Sequence, residues 1–265
     1  MEKLLLLLLL LLQQQQQAAS HSTVEYLPGL QGRLPFPLET GYVGVGKDEE
    51  LQLFYYFLES ESEPTTDPLL IWLSGGPGCS AVTAIVNGIG PLRFVEQVYY
   101  GSMPSFVLNP HAWTKIASVI FLDQPINTGF SYVTNEVAYK QTDVQAFDYV
   151  YEFLRKWLSD HPEYISNPFY MSGNSYAGKM IPVVAQLISN GPYQMSGERR
   201  LLDEKLISLQ RQDKCASDWR KHMKYWANDP KVQEALHVRK KWIKSLNYSI
   251  VDDWRPWNVN NQVAG

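Results

Sequence analysis

Two short, continuous apolar runs limit what this chain can fold into. Leu69-Leu70-Ile71-Trp72-Leu73 and Ser118-Val119-Ile120-Phe121-Leu122 have strand length and no alternating polar face. Such strands must be covered on both sides, as in a parallel sheet flanked by helices. Leu51 to Leu58 is also rich in strand formers, and Pro64-Thr65-Thr66-Asp67-Pro68 punctuates the connection that follows. Between Thr142 and Leu158, the residues Val144, Phe147, Tyr151, Leu154 and Leu158 recur at helical spacing. Asp143 near the start and Arg155-Lys156 near the end suit the helix dipole. Phe169-Tyr170-Met171 reads as a third short strand, and Ala177 to Ser189 as a helix carrying Met180, Val183, Val184 and Leu187. Strands alternating with helices predict an α/β fold with a largely parallel sheet and helices on both faces.

The 265 residues allow one large domain or two small ones, and 45% hydrophobic with 19% charged residues excludes a disordered chain. With 23 basic and 27 acidic side chains the net charge is −4, against a dedicated nucleic-acid binder. Residues 191–265 hold 14 Lys and Arg against 9 Asp and Glu. Acidic residues interleave among them, so Lys231, Arg239, Lys240 and Lys241 read as solvated helix faces rather than a basic arm. At the other end, Met1-Glu2-Lys3 precedes nine leucines, Leu4 to Leu12, five glutamines and Ala18-Ala19-Ser20. The run is shorter than the ~20 residues needed to span a bilayer. It reads as a secretory signal peptide over residues 1–20, cut near Ser20. No later stretch has 18 apolar residues in a row, so a soluble mature protein without a stable membrane anchor is expected, extracellular or vacuolar. In that compartment Asn247-Tyr248-Ser249 is a usable glycosylation sequon.

The third strand runs into the second helix through Gly173-Asn174-Ser175-Tyr176-Ala177-Gly178. This is G-x-S-x-A-G, the G-x-S-x-G pattern with Ala177 at the place of its second glycine, in the strand–turn–helix setting of a nucleophile elbow. Small neighbours let strand and helix approach, and the serine hydroxyl stands where backbone N–H groups and the helix dipole favour developing negative charge. Ser74-Gly75-Gly76-Pro77-Gly78-Cys79-Ser80 follows the first buried strand. Its glycines can turn backbone amides toward a ligand oxygen, so it reads as an oxyanion loop. The expected donors are the N–H groups of Gly76 and Tyr176.

Gly75 to Ser80, then Phe121-Leu122-Asp123-Gln124-Pro125 leading to Thr128-Gly129-Phe130-Ser131-Tyr132, then Ser175 in its elbow, together resemble the serine carboxypeptidase-like family of α/β-hydrolases. The resemblance covers about residues 24–190 and includes Leu27-Pro28-Gly29 and Glu39 to Val43. Tyr225-Trp226-Ala227-Asn228-Asp229 with Val232 to His237 resembles a later helix of the family, and Trp254-Arg255-Pro256-Trp257 a segment between its catalytic Asp and His. The resemblance implies action on C-terminal peptide bonds or, in a plant subgroup, acyl transfer from glucose esters. The substrate would be a small ester or a peptide; no cofactor or metal is expected. It also implies a Cys79–Cys215 disulfide tying the oxyanion loop to a helical insert, consistent with an oxidising compartment.

Family peptidases hold the substrate carboxylate with an Asn before Gly-Gly and a pair of glutamates. Here Ser74, Asn174 and Gly88 stand at those places. A glutamate pair sharing a proton can donate to a carboxylate, which Asn and Gly cannot reproduce. The implied substrate-binding positions Ser74, Gly75 and Asn174 therefore fit the acyltransferase subgroup better, although that subgroup usually has Asp before the serine. Asn127 stands where the family favours Gly, and Asn tolerates the left-handed geometry of such a turn.

A serine hydroxyl needs a histidine to take its proton and an acid to orient that histidine. Of five histidines, His21 lies at the signal cleavage, His111 and His161 precede the serine, and His222 and His237 sit in helical patterns as packing or surface residues. After residue 190 no run resembles Leu69–Leu73, Trp242-Ile243-Lys244 runs past the place of the family's catalytic Asp, and the sequence reaches Gly265 before the family's His. The expected architecture is a signal peptide over 1–20, the front of an α/β-hydrolase domain over 21–190 with its C-terminal strands missing, and a helical basic remnant over 191–265. An exposed sheet edge and poor stability follow. Three readings remain: an impaired enzyme of acyl chemistry, a secreted binding protein without catalysis, or a truncated splice product.

Overall fold

The structure is a computed structural model that describes residues 21–95, 98, 100–134, 141–190 and 218–239. The expected signal peptide, Cys215, Asn247 and the Trp254–Trp257 segment lie outside the described residues, as do Lys240 and Lys241. The strands are β1 (His21–Thr23), β2 (Leu38–Val45), β3 (Leu51–Leu58), β4 (Leu69–Leu73), β5 (Leu92–Phe94), β6 (Phe106–Leu108), β7 (Ser118–Leu122), β8 (Tyr132–Val133) and β9 (Phe169–Gly173). The helices are α1 (Val82–Asn87), α2 (Asp143–Asp160), α3 (Ala177–Asn190), α4 (Asp218–Asn228) and α5 (Pro230–Ala235).

One mixed sheet runs in the order β1-β2-β3-β7-β4-β9, with β8 paired to β3, and β5 and β6 form a separate hairpin. The apolar runs pair in parallel: β4 lies between β7 and β9, with Leu69 opposite Ser118 and Phe169, and Leu73 opposite Leu122 and Gly173. The strands β1, β2, β3 and β7 pair antiparallel and extend this parallel core on one side. On the other side β9 is the outer strand among the described residues, and each of its five residues is only half-buried.

Side chains alternate between two cores, as the two-residue period of a strand requires. Along β3, Phe54, Tyr56 and Leu58 face one cluster while Leu53, Tyr55 and Phe57 face the other. Along β7, Val119 and Phe121 oppose Ile120 and Leu122 in the same way. The first face is covered by α1, α4 and α5, through residues such as Val82, Ile85, Trp226 and Val232. The second is covered by α2 and α3, through Phe147, Phe153, Trp157 and Val184.

Helix α2 begins where Thr142 and Gln145 form a reciprocal capping box, each side chain accepting the other's backbone N–H. It runs two residues past Leu158, to Asp160, and stops before Pro162, whose ring disfavours helical geometry at His161. Helices α4 and α5 belong to the stretch read as a remnant, yet they pack on the same sheet as residues 21–190. Trp226 Nε1 donates to the Pro28 carbonyl at 2.7 Å, and Thr40 Oγ1 donates to the Leu236 carbonyl at 2.8 Å. Lys231 is exposed as expected. Arg239 departs from the expectation of a solvated face: its guanidinium lies 4.7 Å above the Tyr42 ring and donates to the Tyr132 hydroxyl at 2.8 Å. Among the described residues no helix is long and apolar enough to cross a membrane.

Candidate active site

Strand β9 delivers Ser175 to an exposed turn before α3, with φ 56, the left-handed region that a side chain adopts only at a cost. The geometry is held from both sides. A Cβ on Gly173 would collide with the Leu73 carbonyl oxygen and with the Ala177 side chain, so the strand and the helix start meet only because Gly173 has none. Gly178 does not share this reason. Nothing lies within 4 Å of its would-be Cβ, so the steric reading of both glycines holds for the first alone.

The loop after β4 reaches the same turn. A Cβ on Gly75 would sit 2.5 Å from the Asn174 carbonyl oxygen and 2.8 Å from the Ser175 Cβ. The exposed Asn174 accepts the Gly75 N–H on its Oδ1 at 3.1 Å. Gly76, with φ 114, is exposed, and among the described residues neither its N–H nor that of Tyr176 has an acceptor. Ser74 is buried, and its Oγ has no partner among the described residues. Five of the six expected positions thus meet in one corner, with Gly76, Asn174 and Ser175 exposed, Tyr176 half-buried and Gly75 buried beneath them, while Ser74 is also buried.

The residues at the end of β7 organise this corner. Asp123 is fully buried; its Oδ1 accepts from Ser80 Oγ at 2.7 Å and from the Ala81 N–H at 2.8 Å, and its Oδ2 from the Phe130 N–H at 3.0 Å. Burial pushes its pKa up to about 6, against the pull of the bonds from Phe130, Ser80 and Ala81. Gln124 Nε2 donates to the Ser74 carbonyl at 3.1 Å. The following turn needs a left-handed residue at 127, and Asn127 takes φ 67, as its side-chain type permits. No role was read for Asp123 and Gln124 from the sequence beyond the motif that contains them. An acid and an amide directly after a wholly apolar strand are the signal that could have found them.

Among the described residues, Ser175 Oγ has no hydrogen-bond partner. The rings of His21 and His161 both face Glu39. His222 is buried on α4 with its ring 5.7 Å from that of Phe94, and His237 is exposed after α5. Cys79 is half-buried in the loop, and the disulfide expected for it reaches beyond the described residues.

Adding a methyl group at Gly75 forces backbone apart, so Gly75→Ala is expected to cost about 1–3 kcal/mol. Gly178→Ala meets open space and is expected to gain about 0.4–1 kcal/mol by restricting the unfolded chain. Urea unfolding of the two variants checks this, and equal effects would contradict the assignment. Asp123 adds a pH dependence. Its folded pKa is about 6 against an ordinary value of 3.8, so the fold favours the protonated carboxyl by about 3 kcal/mol. That contribution is complete below pH 3.8 and is lost as pH rises through about 6. The stability difference between wild type and Asp123→Asn is therefore expected to shrink from pH 4 to pH 7, while contributions from Glu39 and His161 cancel in the subtraction.

The serine carboxypeptidase family model matches residues 28–207. Serine carboxypeptidase-like 16 and 17 of Arabidopsis thaliana are 36% and 37% identical over 372 and 371 residues. The matches cover 93% of this chain and 86% and 85% of theirs. Those alignments are longer than the 265 residues here, so the relatives carry segments between the matched stretches that this chain lacks. Serine carboxypeptidase-like 14 of the same plant is 56% identical over 174 residues, 66% of this chain and 40% of its own. Among solved structures, Kex1Δp, a prohormone-processing carboxypeptidase from Saccharomyces cerevisiae, superposes with a TM-score of 0.55 at 25% identity. It covers 66% of this chain, which spans 40% of that structure. With its sheet, flanking helices and matched sequence, the chain belongs to the serine carboxypeptidase family, on an α/β-hydrolase-type fold.

Proposed function

We propose that Ser175 is the nucleophile of an acyl-transfer chemistry, that the Gly76 and Tyr176 N–H groups receive the oxyanion, and that this chain performs the chemistry only weakly. The observation that carries the proposal is the exposed, left-handed Ser175 between β9 and α3, with the Gly75 loop hydrogen-bonded to its neighbour Asn174. In the reaction, Oγ attacks an ester carbonyl carbon and loses its proton. The tetrahedral oxyanion is held by the two N–H groups, and collapse expels the alcohol to leave an acyl-Ser175. An acceptor hydroxyl or water then takes the acyl group. Proton removal needs a base within about 2.6–3.2 Å of Oγ. That Oγ has no partner among the described residues supports weak activation, which also favours a binding protein without catalysis as a second reading.

Acyl transfer from glucose esters is preferred over C-terminal peptide hydrolysis. The neutral Asn174 and Ser74 occupy places where a carboxylate-binding set would stand, and Asn174 already spends its oxygen on Gly75. The likeness to a prohormone-processing carboxypeptidase supports peptide hydrolysis as the alternative substrate class. The same reading includes secretion after a cut near Ser20, a Cys79–Cys215 disulfide and a glycan on Asn247.

Without activation, a residual acceleration of about 10³–10⁴ over water can persist from an oxyanion hole and binding alone. A fluorophosphonate probe is therefore expected to label the chain slowly or not at all. Prolonged incubation with an acyl-glucose, read by intact mass, should give more acyl-Ser175 than a blocked dipeptide gives. Both signals should vanish in Ser175→Ala. Rapid stoichiometric labelling that Ser175→Ala abolishes would overturn weak activation, and His222 and His237 would be the first residues to replace. Preferential acylation by the dipeptide would overturn the substrate class.

A further inference from the structure

We propose that His21, Glu39 and His161 form a binding site for a borderline divalent metal ion such as Zn2+, at the sheet edge away from β9. The three residues come from separate elements: β1, β2 and the residue that ends α2. Their sequence separation hides the site, because no short metal-ligand spacing links 21, 39 and 161. One ligand atom from each lies within 4.8 Å of the others. His21 Nδ1 stands 3.0 Å from Glu39 Oε2, and His161 Nε2 stands 3.1 Å from Glu39 Oε1. Zinc bound at about 2.0–2.2 Å in tetrahedral geometry separates its ligand atoms by about 3.3 Å. Each imidazole is already near that spacing from one of the two Glu39 oxygens, and with all three ligand atoms within 4.8 Å a small side-chain adjustment would bring two imidazoles and one carboxylate onto one ion.

The surroundings orient the ligands. The Trp157 carbonyl, which only accepts, lies 2.9 Å from His161 Nδ1, so that nitrogen carries the proton and Nε2 is the one directed at Glu39. The His161 ring also stacks on Trp157, with centroids 4.0 Å apart and an interplanar angle of 7°. The Tyr55 hydroxyl donates to Glu39 Oε1 at 2.7 Å. A backbone carbonyl on the distal histidine nitrogen and a donor on the carboxylate are the partners that fix ligand tautomer and orientation in metal sites. His161 is buried, Glu39 mostly so, and His21 about one-third exposed, which leaves an entry path from solvent.

Without a metal, His161 Nε2 needs a second proton to face Glu39, so proton and metal compete for one place. The titratable groups facing it are Glu39 and His21 from the sheet and Glu163 from the turn after α2. A metal ion needs the lone pair of an imidazole nitrogen that a proton would otherwise hold, so affinity weakens as the solution becomes more acidic.

The test is equilibrium dialysis of chelator-stripped folded protein against Zn2+ alone, with bound metal counted by mass spectrometry and folding checked by circular dichroism. One Zn2+ per chain is expected at neutral pH, falling on acidification to pH 5. His21→Ala, an edge substitution that leaves the core intact, should weaken binding more than about tenfold, and Tyr55→Phe by about 10–100-fold. His111→Ala should change nothing. Folded wild-type protein that takes up no Zn2+, or uptake that survives a His21→Ala/Glu39→Gln double substitution, would overturn the site and leave the cluster as a protonated hydrogen-bond network. Neither result bears on Ser175.

Discussion

The candidate active site depends on how closely two adjacent parallel strands approach at their C-terminal ends. Leu73 and Gly173 are in register, and a Cβ on Gly173 would run into the Leu73 carbonyl oxygen. Two residues further along, Gly75 meets the Asn174 backbone under the same restriction. Two absent side chains thus set one distance, and that distance lets the loop after β4 and the turn after β9 form a single surface. The Asn174–Gly75 hydrogen bond then fixes the loop against the elbow.

The end of β7 completes the corner by a different kind of force. A buried carboxyl costs free energy unless donors surround it, and Asp123 has three, drawn from the loop after β4 and the turn after Asn127. The same interactions that satisfy Asp123 pin both segments, and Gly129 must lack a Cβ to let the carboxyl in. Ligand sites of open α/β sheets lie beyond the carboxyl ends of their strands. Here the ends of β7, β4 and β9 lie side by side and supply the anchor, the loop and the elbow in that order.

The elements legible from sequence are those whose residues carry their own reason. Leu69–Leu73 and Ser118–Leu122 are strands over the residues read as such, because continuous apolar runs have nowhere to go but a covered sheet. Helix α2 was legible from its apolar spacing, yet its end was set two residues later by Pro162. The turn was legible because Gly-x-Ser-x-Ala-Gly joined a strand to a helix, but the reason given for Gly178 was not the operative one: Ala177 is the small residue that Gly173 meets. What escaped were contacts between distant segments. Nothing local to Arg239 announces a ring of Tyr42 beneath it, and nothing local to His21, Glu39 and His161 announces that they converge. Long-range packing also places α4 and α5 over the first core, where composition alone suggested a basic remnant.

The proposal is that Ser175 is well positioned but weakly activated, with no base beside it among the described residues, so the most direct measurement is the pH dependence of its acylation. Single-turnover acylation by an activated ester is followed from pH 5 to pH 9, with the Ser175→Ala background subtracted. Attack by an unassisted hydroxyl predicts a rate that rises about tenfold per pH unit throughout. A profile that levels off above an inflection near the ordinary histidine pKa would show a general base at work and contradict the account.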